Sequence, residues 1–332
     1  MLTPLTDETV AGIRNPDLAR YARRRLALDR EFLDAVGAFG LERATKPEGA
    51  EARVARLQEL GVFGENDGKS FHTGWISPAC VACRMGVDTE TFLTSTQCPR
   101  KCFFCFNPNQ EDYEYFLTHD NDIAQQLMDR FRAGARFRFL GITGGEPLLH
   151  YERVLDFLDV AGVLAPDAYT RLYTSGAGLT PARAREMAEA GLDEVRFSIK
   201  VEDSAAARER VLETIGESVG VFDAVMVEMP VAPDQVAFMK ELLVRLDALG
   251  VRGINLLELC FPFHNAGEFA KRGYRIKETP YRIPYDYWYA GGLPIAGSES
   301  ACLELVAFAA ERGLKLGVHY CSLENKLTGQ VY

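Results

Sequence analysis

From about residue 90 onward the chain repeats one unit. Strand-like runs TFLTST, FRFLGIT, TRLYTS, EVRFSIK, AVMVEMP and INLLELC are separated by amphipathic segments such as DIAQQLMDRFRAG and DQVAFMKELLVRLDALG. Short apolar strands alternating with helices of about ten to fifteen residues make βαβ units and a parallel sheet. Six such units with right-handed crossovers curl into an open barrel. The expected class is therefore α/β, a partial (β/α)6 TIM-like barrel. SESACLELVAFAAERG and LKLGVHYC add one more helix and strand near the C-terminus. Ahead of the barrel, residues 5–62 read as helices. PDLARYARRRLALDREFLDAVGAF carries apolar residues three and four apart, and EARVARLQELG stops on glycine. GENDGKS then reads as a turn. The division expected is a helical N-terminal extension (1–75), a core barrel (76–262), and a lid-like insertion with a closing helix and strand (263–332). Residues 261–297 are long, aromatic and broken by prolines. They form either a binding lid or an irregular cover over the barrel mouth.

With 332 residues, 47% hydrophobic and 25% charged, the chain has core enough to fold without covalent staples. Its eight cysteines are therefore not read as a disulfide scaffold. The opening MLTPLTDETV has no basic segment leading into an apolar one, and no run reaches the roughly 18 apolar residues of a membrane span. The expectation is a cytoplasmic protein with no membrane partner and reduced thiols, where clustered cysteines act as metal ligands or catalysts. A net charge of −10 argues against a nucleic-acid partner, which calls for basic surface. The one basic run, RYARRRLALDR, fits one solvated face of a helix.

Five of the cysteines fall between residues 77 and 109. Cys80 and Cys83 make a C-x-x-C pair; Cys98, Cys102 and Cys105 follow as C-x-x-x-C-x-x-C in the loop after the first core strand. Three thiolates at that spacing can hold three corners of a [4Fe-4S] cube. The fourth iron is then open to a small molecule, as in an open catalytic zinc site. A zinc site that borrows Cys80 and Cys83 is the alternative on spacing alone.

CPRKCFFC resembles the signature of the radical S-adenosylmethionine (radical SAM) enzymes, C-x-x-x-C-x-aromatic-C, with Phe104 in the aromatic place. The resemblance continues in chain order over roughly residues 90–262. GITGGEPLL after the second strand matches the family's G-G-E-P motif at Gly144, Gly145, Glu146 and Pro147; LYTSGAG follows the third strand and VRFSIK is the fourth. The resemblance implies that Cys98, Cys102 and Cys105 ligate a [4Fe-4S] cluster whose open iron is chelated by SAM. Phe104 would lie by the adenine. The glycines would let backbone approach the ligand closely, and Glu146, with exposed carbonyls, would receive the methionyl ammonium. Thr174 and Ser175 would contact ribose or carboxylate. One of Ser198 and Lys200 is expected to face inward; the lysine either suits the SAM carboxylate or is a solvated strand end. The implied chemistry is reductive cleavage of SAM to methionine and a 5′-deoxyadenosyl radical, which abstracts hydrogen from a C–H. A flavodoxin- or ferredoxin-type electron donor is the implied partner.

Cys80 and Cys83 lie outside that ligand set, and a second iron–sulfur cluster completed by Cys321 is the economical account. Cys302, in an apolar helical pattern, reads as a buried structural thiol. Cys260 stays open between three roles: fourth ligand of the second cluster, hydrogen-atom donor as in radical SAM epimerases, or small core residue. CVAC upstream and YCS downstream resemble a mostly archaeal branch of the family. A cysteine-rich C-terminal SPASM-type motif, a cobalamin module and a strand-rich peptide-recognition domain are not seen. Of the five histidines, His264 in FPFHN is the best acid/base candidate, with a plain loop histidine as the alternative. Glu228 and Glu258 would be costly in a barrel unless paired or bound to an amine-bearing substrate. The tyrosines from 274 to 289 either stack on a sugar or peptide or pack as a lid. The leading expectation is hydrogen abstraction from a small polar metabolite, natural product or peptide, narrowed to epimerisation with Cys260 as donor. The rivals are oxidative dehydrogenation or peptide cross-linking with the second cluster as electron acceptor, and a non-catalytic iron–sulfur or zinc protein.

Overall fold

A computed structural model of the chain describes residues 5–46, 48–66, 68–85, 88–280, 292–323 and 325; at 83–85 it describes the backbone alone. The N-terminal part contains helices α1 (Asp7–Ala11), α2 (Pro16–Val36) and α3 (Ala50–Glu59). Asn15 starts α2 by accepting from the amides of Asp17 and Leu18, with Pro16 in the first turn. The expected turn is present and joins two strands that were not expected, β1 (Phe63–Glu65) and β2 (Ser70–Thr73), in an antiparallel hairpin with Phe63 opposite His72. Strands this short carry no readable periodicity; a neighbour distant in sequence holds them. Helix α4 (Pro78–Met85) follows.

The repeating region is built as read. Strands β3 (Thr89–Leu93), β4 (Phe139–Thr143), β5 (Tyr169–Thr174), β6 (Glu194–Phe197), β7 (Ala224–Val231) and β8 (Gly253–Glu258) pair in parallel with their successors. Between them run α5 (Tyr113–Phe116), α6 (Ile123–Arg132), α7 (Tyr151–Leu164), α8 (Pro181–Glu189), α9 (Ala205–Ser218) and α10 (Val236–Leu249). After β8 come β9 (Cys260–Phe261), α11 (Ala266–Lys271) and β10 (Leu293–Pro294), with β9 and β10 paired to each other. Helix α12 (Ser298–Arg312) leads into β11 (Gly317–Cys321), which adds to β8 in parallel and carries β2 on its other edge. The sheet order is β1-β2-β11-β8-β7-β6-β5-β4-β3. The chain is thus α/β, and the expected six-strand barrel sheet is extended by a seventh parallel strand and the hairpin.

Side chains alternate across a strand, and here the two faces differ sharply. Leu140, Ile142, Leu172, Val195, Phe197, Val225, Val227, Ile254, Leu256 and Val318 are buried in the main apolar core. Each contributes at most about 1.5–3 kcal/mol by leaving water. The other, concave face carries Arg171, Tyr173, Glu194, Arg196, Glu228, Asn255 and His319. The candidate site is built on that face.

Candidate active site

The cysteine loop leaves the C-terminal end of β3 and is stitched to the loop after β4. The amide of Gly145 donates to the Ser95 carbonyl and that of Glu146 to the Gln97 carbonyl, both at 2.7 Å. A Cβ on Gly145 would stand 2.0 Å from the Gln97 oxygen, and one on Gly144 2.6 Å from the Ser95 oxygen. The two glycines are therefore required by the crossing of two protein loops, independently of any ligand.

Glu146 is fully buried. Its carboxylate accepts from Thr174 Oγ1 (2.6 Å), Ser175 N (2.8 Å), Ser175 Oγ (2.5 Å) and Leu148 N (3.3 Å). In this structure the carboxylate ties the β4 loop to the β5 loop. Pro147 is buried just behind it, in the first turn of a short 3-10 helix. Thr174 and Ser175 are engaged by the same carboxylate, yet both line the cavity described next.

One cavity of about 1450 Å³ opens at the C-terminal ends of the strands. Cys98, Cys102, Cys105 and Phe104 form one wall, Gly144, Gly145, Thr174, Ser175, Ser198 and Lys200 line it further, and Glu228 and Cys260 also reach it. Both Ser198 and Lys200 face it, where only one was expected: they are two residues apart on one face, with Ile199 buried between them.

Burial pushes the Cys98 thiol up, and Cys105 to about 11, with Cys102 nearby adding to each; Lys200 pulls both the other way. Such thiols hold their protons near neutrality unless a metal replaces them. Among the described residues no three His, Cys, Asp or Glu side chains are gathered into a finished ligand shell. The donor set still fits an iron–sulfur centre, with three soft ligands on one loop, one cavity wall and a cation beside them.

The segment after β9 clamps this loop. His264 bonds the Cys105 carbonyl (2.8 Å), Asn265 Nδ2 donates to the Phe103 carbonyl (3.2 Å), and Asn109 Nδ2 donates to the Pro262 carbonyl (2.8 Å). The Arg272 guanidinium lies 4.3 Å from the Phe103 ring centre.

The floor of the concave face is a continuous polar network. Arg196 donates to Glu194 (2.5 Å), Glu228 (2.7 Å) and Ser77 (3.0 Å); Asn255 bridges Glu228 (2.6 Å) and His319 (2.8 Å), and His319 reaches Ser70 (2.9 Å). Cys80, on α4, receives Asn255 Nδ2 at 3.2 Å and Arg196 at 3.4 Å, while burial pushes its thiol up. Cys321 shares the face of His319, one pleat along β11, and receives Asn325 Nδ2 at 3.8 Å. Cys80 and Cys321 thus look into the same side of the sheet from different elements; the Cys83 side chain lies outside the described residues. The network was missed in sequence. Its signal was there, as polar residues two apart within RLY and EVR and a lone histidine in GVH, on otherwise apolar strands.

Cys260 is buried against Leu323 and Phe106. Cys302 is buried on α12, its thiol pushed well up by burial and bonded to the Leu257 carbonyl at 3.8 Å, in keeping with a structural thiol.

Glu228 and Glu258 separate. Both line the cavity, but the Glu258 carboxylate is engaged by Lys277 at 3.6 Å, the Leu323 amide at 3.0 Å and the Tyr320 hydroxyl at 3.5 Å. Burial pushes Glu258 up to about 7; Lys277 opposes that, and Glu299 and Glu48 add to it. The same carboxylates hold Lys277 in its charged form. That ammonium sits closer to Glu299 than to Glu258. Because the folded value of Glu258 exceeds the ordinary glutamate value of about 4.3, its stabilising contribution is complete below about pH 4 and is lost as pH rises through about 7. Urea unfolding across that range should show a falling stability that Glu258→Gln flattens; an equal slope in both chains counts against it.

Tyr274 is buried and donates to Asp234 at 2.7 Å, which makes it a packing residue. The tyrosines at 281, 285, 287 and 289 lie outside the described residues. No helix among the described residues is long and apolar enough to cross a membrane.

Residues 92–226 match the model of the radical SAM superfamily. The chain carries a radical SAM domain. A Methanocaldococcus jannaschii protein provisionally named a glycyl-radical enzyme activating enzyme is 23% identical over 249 residues, 73% of this chain and 62% of its own length. The chain therefore spans about three fifths of that curated relative. Among solved structures, coproporphyrinogen III oxidase (HemN) of Escherichia coli is similar at 14% identity and a TM-score of 0.46, over 72% of this chain and 57% of that one. Streptococcus suis SuiB bound to its precursor peptide SuiA is similar at 14% identity and a TM-score of 0.43, over 73% and 53% of the two chains.

Proposed function

We propose that this chain is a radical SAM enzyme acting on a C–H bond of a small polar molecule or a peptide, and that Cys260 returns a hydrogen atom to the substrate carbon. The observation that carries this reading is that the three motif cysteines and Cys260 line one cavity. Bound there, a [4Fe-4S] cluster with SAM supplies, on one-electron reduction, a 5′-deoxyadenosyl radical able to abstract hydrogen.

The chain's own residues hold and shield. Cys98, Cys102 and Cys105 are the ligands, with Phe104, Gly144, Gly145, Thr174, Ser175, Ser198 and Lys200 around the bound SAM. The apolar surround of Leu323 and Phe106 keeps water from Cys260. In the return step the Cys260 S–H bond breaks and a C–H bond forms. A one-electron donor of the flavodoxin or ferredoxin type and one proton then restore the thiol. If abstraction and return take opposite faces of the carbon, the outcome is epimerisation.

Cys80 and Cys321 on one concave face support a second cluster, with Cys83 as the third ligand. Asn255 and Arg196 already direct N–H donors at the Cys80 sulfur.

Cys260→Ala is the test. Anaerobically reduced with SAM, this variant should still form 5′-deoxyadenosine and keep its iron, while product falls to background. Lost iron would make Cys260 a ligand, and undiminished product would remove it from the reaction.

A further inference from the structure

We infer that His264 is a positioning residue with a fixed tautomer: its Nε2–H is committed to the Cys105 carbonyl, and its Nδ1 lone pair accepts an N–H or O–H from the molecule bound in the cavity. This rests on the reading that the cavity is the binding site.

A carbonyl oxygen can only accept, so the 2.8 Å contact to Cys105 puts the hydrogen on Nε2. In the neutral ring the other nitrogen is then an acceptor. Nδ1 has no hydrogen-bond partner among the described residues, and His264 lines the cavity.

The backbone around it is held in an uncommon shape. Phe263 and Asn265 have φ of 66° and 60°. The left-handed region is tolerable for asparagine and costly for a bulky phenylalanine, and such strain clusters where a side chain must be aimed. The Asn109 and Asn265 bonds to the facing segments and the Arg272–Phe103 stack oppose a turn of the ring away from Cys105. His264 thereby joins the cysteine loop to whatever fills the cavity. The donor's source is SAM or the substrate; its chemistry is the same in both cases.

Two variants part the two nitrogens, since a glutamine amide overlays Nε2 and an asparagine amide overlays Nδ1. In the anaerobically reconstituted full chain with its cluster oxidised, 15N spectra of labelled histidine, assigned with His264→Gln, should show a bare Nδ1 and a protonated Nε2. A proton on Nδ1 overturns the inference. SAM is then the probe. If SAM is the source, it shifts the Nδ1 signal, and His264→Gln binds SAM about five- to tenfold more weakly, the worth of one hydrogen bond. If the substrate is the source, Nδ1 stays bare with SAM bound and SAM affinity is unchanged.

His264→Asn, which cannot reach the Cys105 carbonyl, should alter the electron paramagnetic resonance spectrum of the reduced cluster, while His264→Gln should not. Equal spectra from the two variants would reduce His264 to a spacer and end the proposal. Failure of the underlying reading shows up separately, as an unaltered chain that neither assembles a cluster nor cleaves SAM.

Discussion

Cys105→Ala will lose the iron of the SAM-binding site, and its 5′-deoxyadenosine formation will fall to that of a protein-free control. The physical reason is donor count. The loop offers three thiols to one cavity wall, and burial raises the Cys105 thiol to about 11. An alanine there cannot replace a ligand, and the nearby backbone is held in place by His264 and Asn265, so the loop cannot slide to recruit another. Cys302→Ala is the control. That thiol is sealed in the α12 interface, and its loss should cost about 1 kcal/mol of stability while leaving iron and SAM cleavage intact. Iron analysis with a 5′-deoxyadenosine assay decides the matter; full activity in Cys105→Ala would remove the chemistry proposed for the cavity. Iron left in a chain lacking all three motif cysteines would support the second cluster proposed at Cys80, Cys83 and Cys321.

Glu146→Ala should be the most damaging substitution for the fold. It strips the acceptor from four donors at once: the buried Thr174 Oγ1 and Leu148 N, and the partly buried Ser175 N and Ser175 Oγ. Each unpaired buried donor costs about 1–3 kcal/mol before relaxation. With partial rearrangement the loss is on the order of 4 kcal/mol, or roughly 5–10 °C in melting temperature for a chain of this size. Glu146→Gln keeps one oxygen and turns an amide toward the remaining donors, so it should fall between the alanine variant and the parent. A melting temperature within about 2 °C of the parent for Glu146→Ala would show that water or a side-chain shift satisfies those donors, and that Glu146 is free to serve a ligand after all.

The parts legible in the chain text were those written in short range. The βα alternation needs only ten or twenty neighbouring residues to declare itself, and all six expected strands are present in parallel order. The C-x-x-x-C-x-x-C spacing and the G-G-E-P turn are likewise local, and both fall on one cavity. Less legible were residues whose meaning depends on which way a strand faces. AVMVEMP and INLLELC are apolar on both faces, as buried parallel strands are, so nothing local says that Glu228 joins Arg196 and Asn255 while Glu258 meets Lys277 and the Leu323 amide. The pair of glycines was read as room for a ligand, yet a Cβ on Gly145 would strike the Gln97 carbonyl first.

Composition and spacing by themselves determined the class of fold, the three cysteines of the loop, and the order in which the motifs meet the strands. Only the tertiary structure decided that Glu146 ties the β4 loop to the β5 loop, that His264 is tied to the Cys105 carbonyl from 159 residues away, and that a buried polar network including Arg196 and Asn255 meets Cys80. Each of these is a contact between distant segments. A hydrogen bond is set by a few tenths of an ångström and by which face of a strand turns inward, and neither quantity exists until the chain has closed on itself.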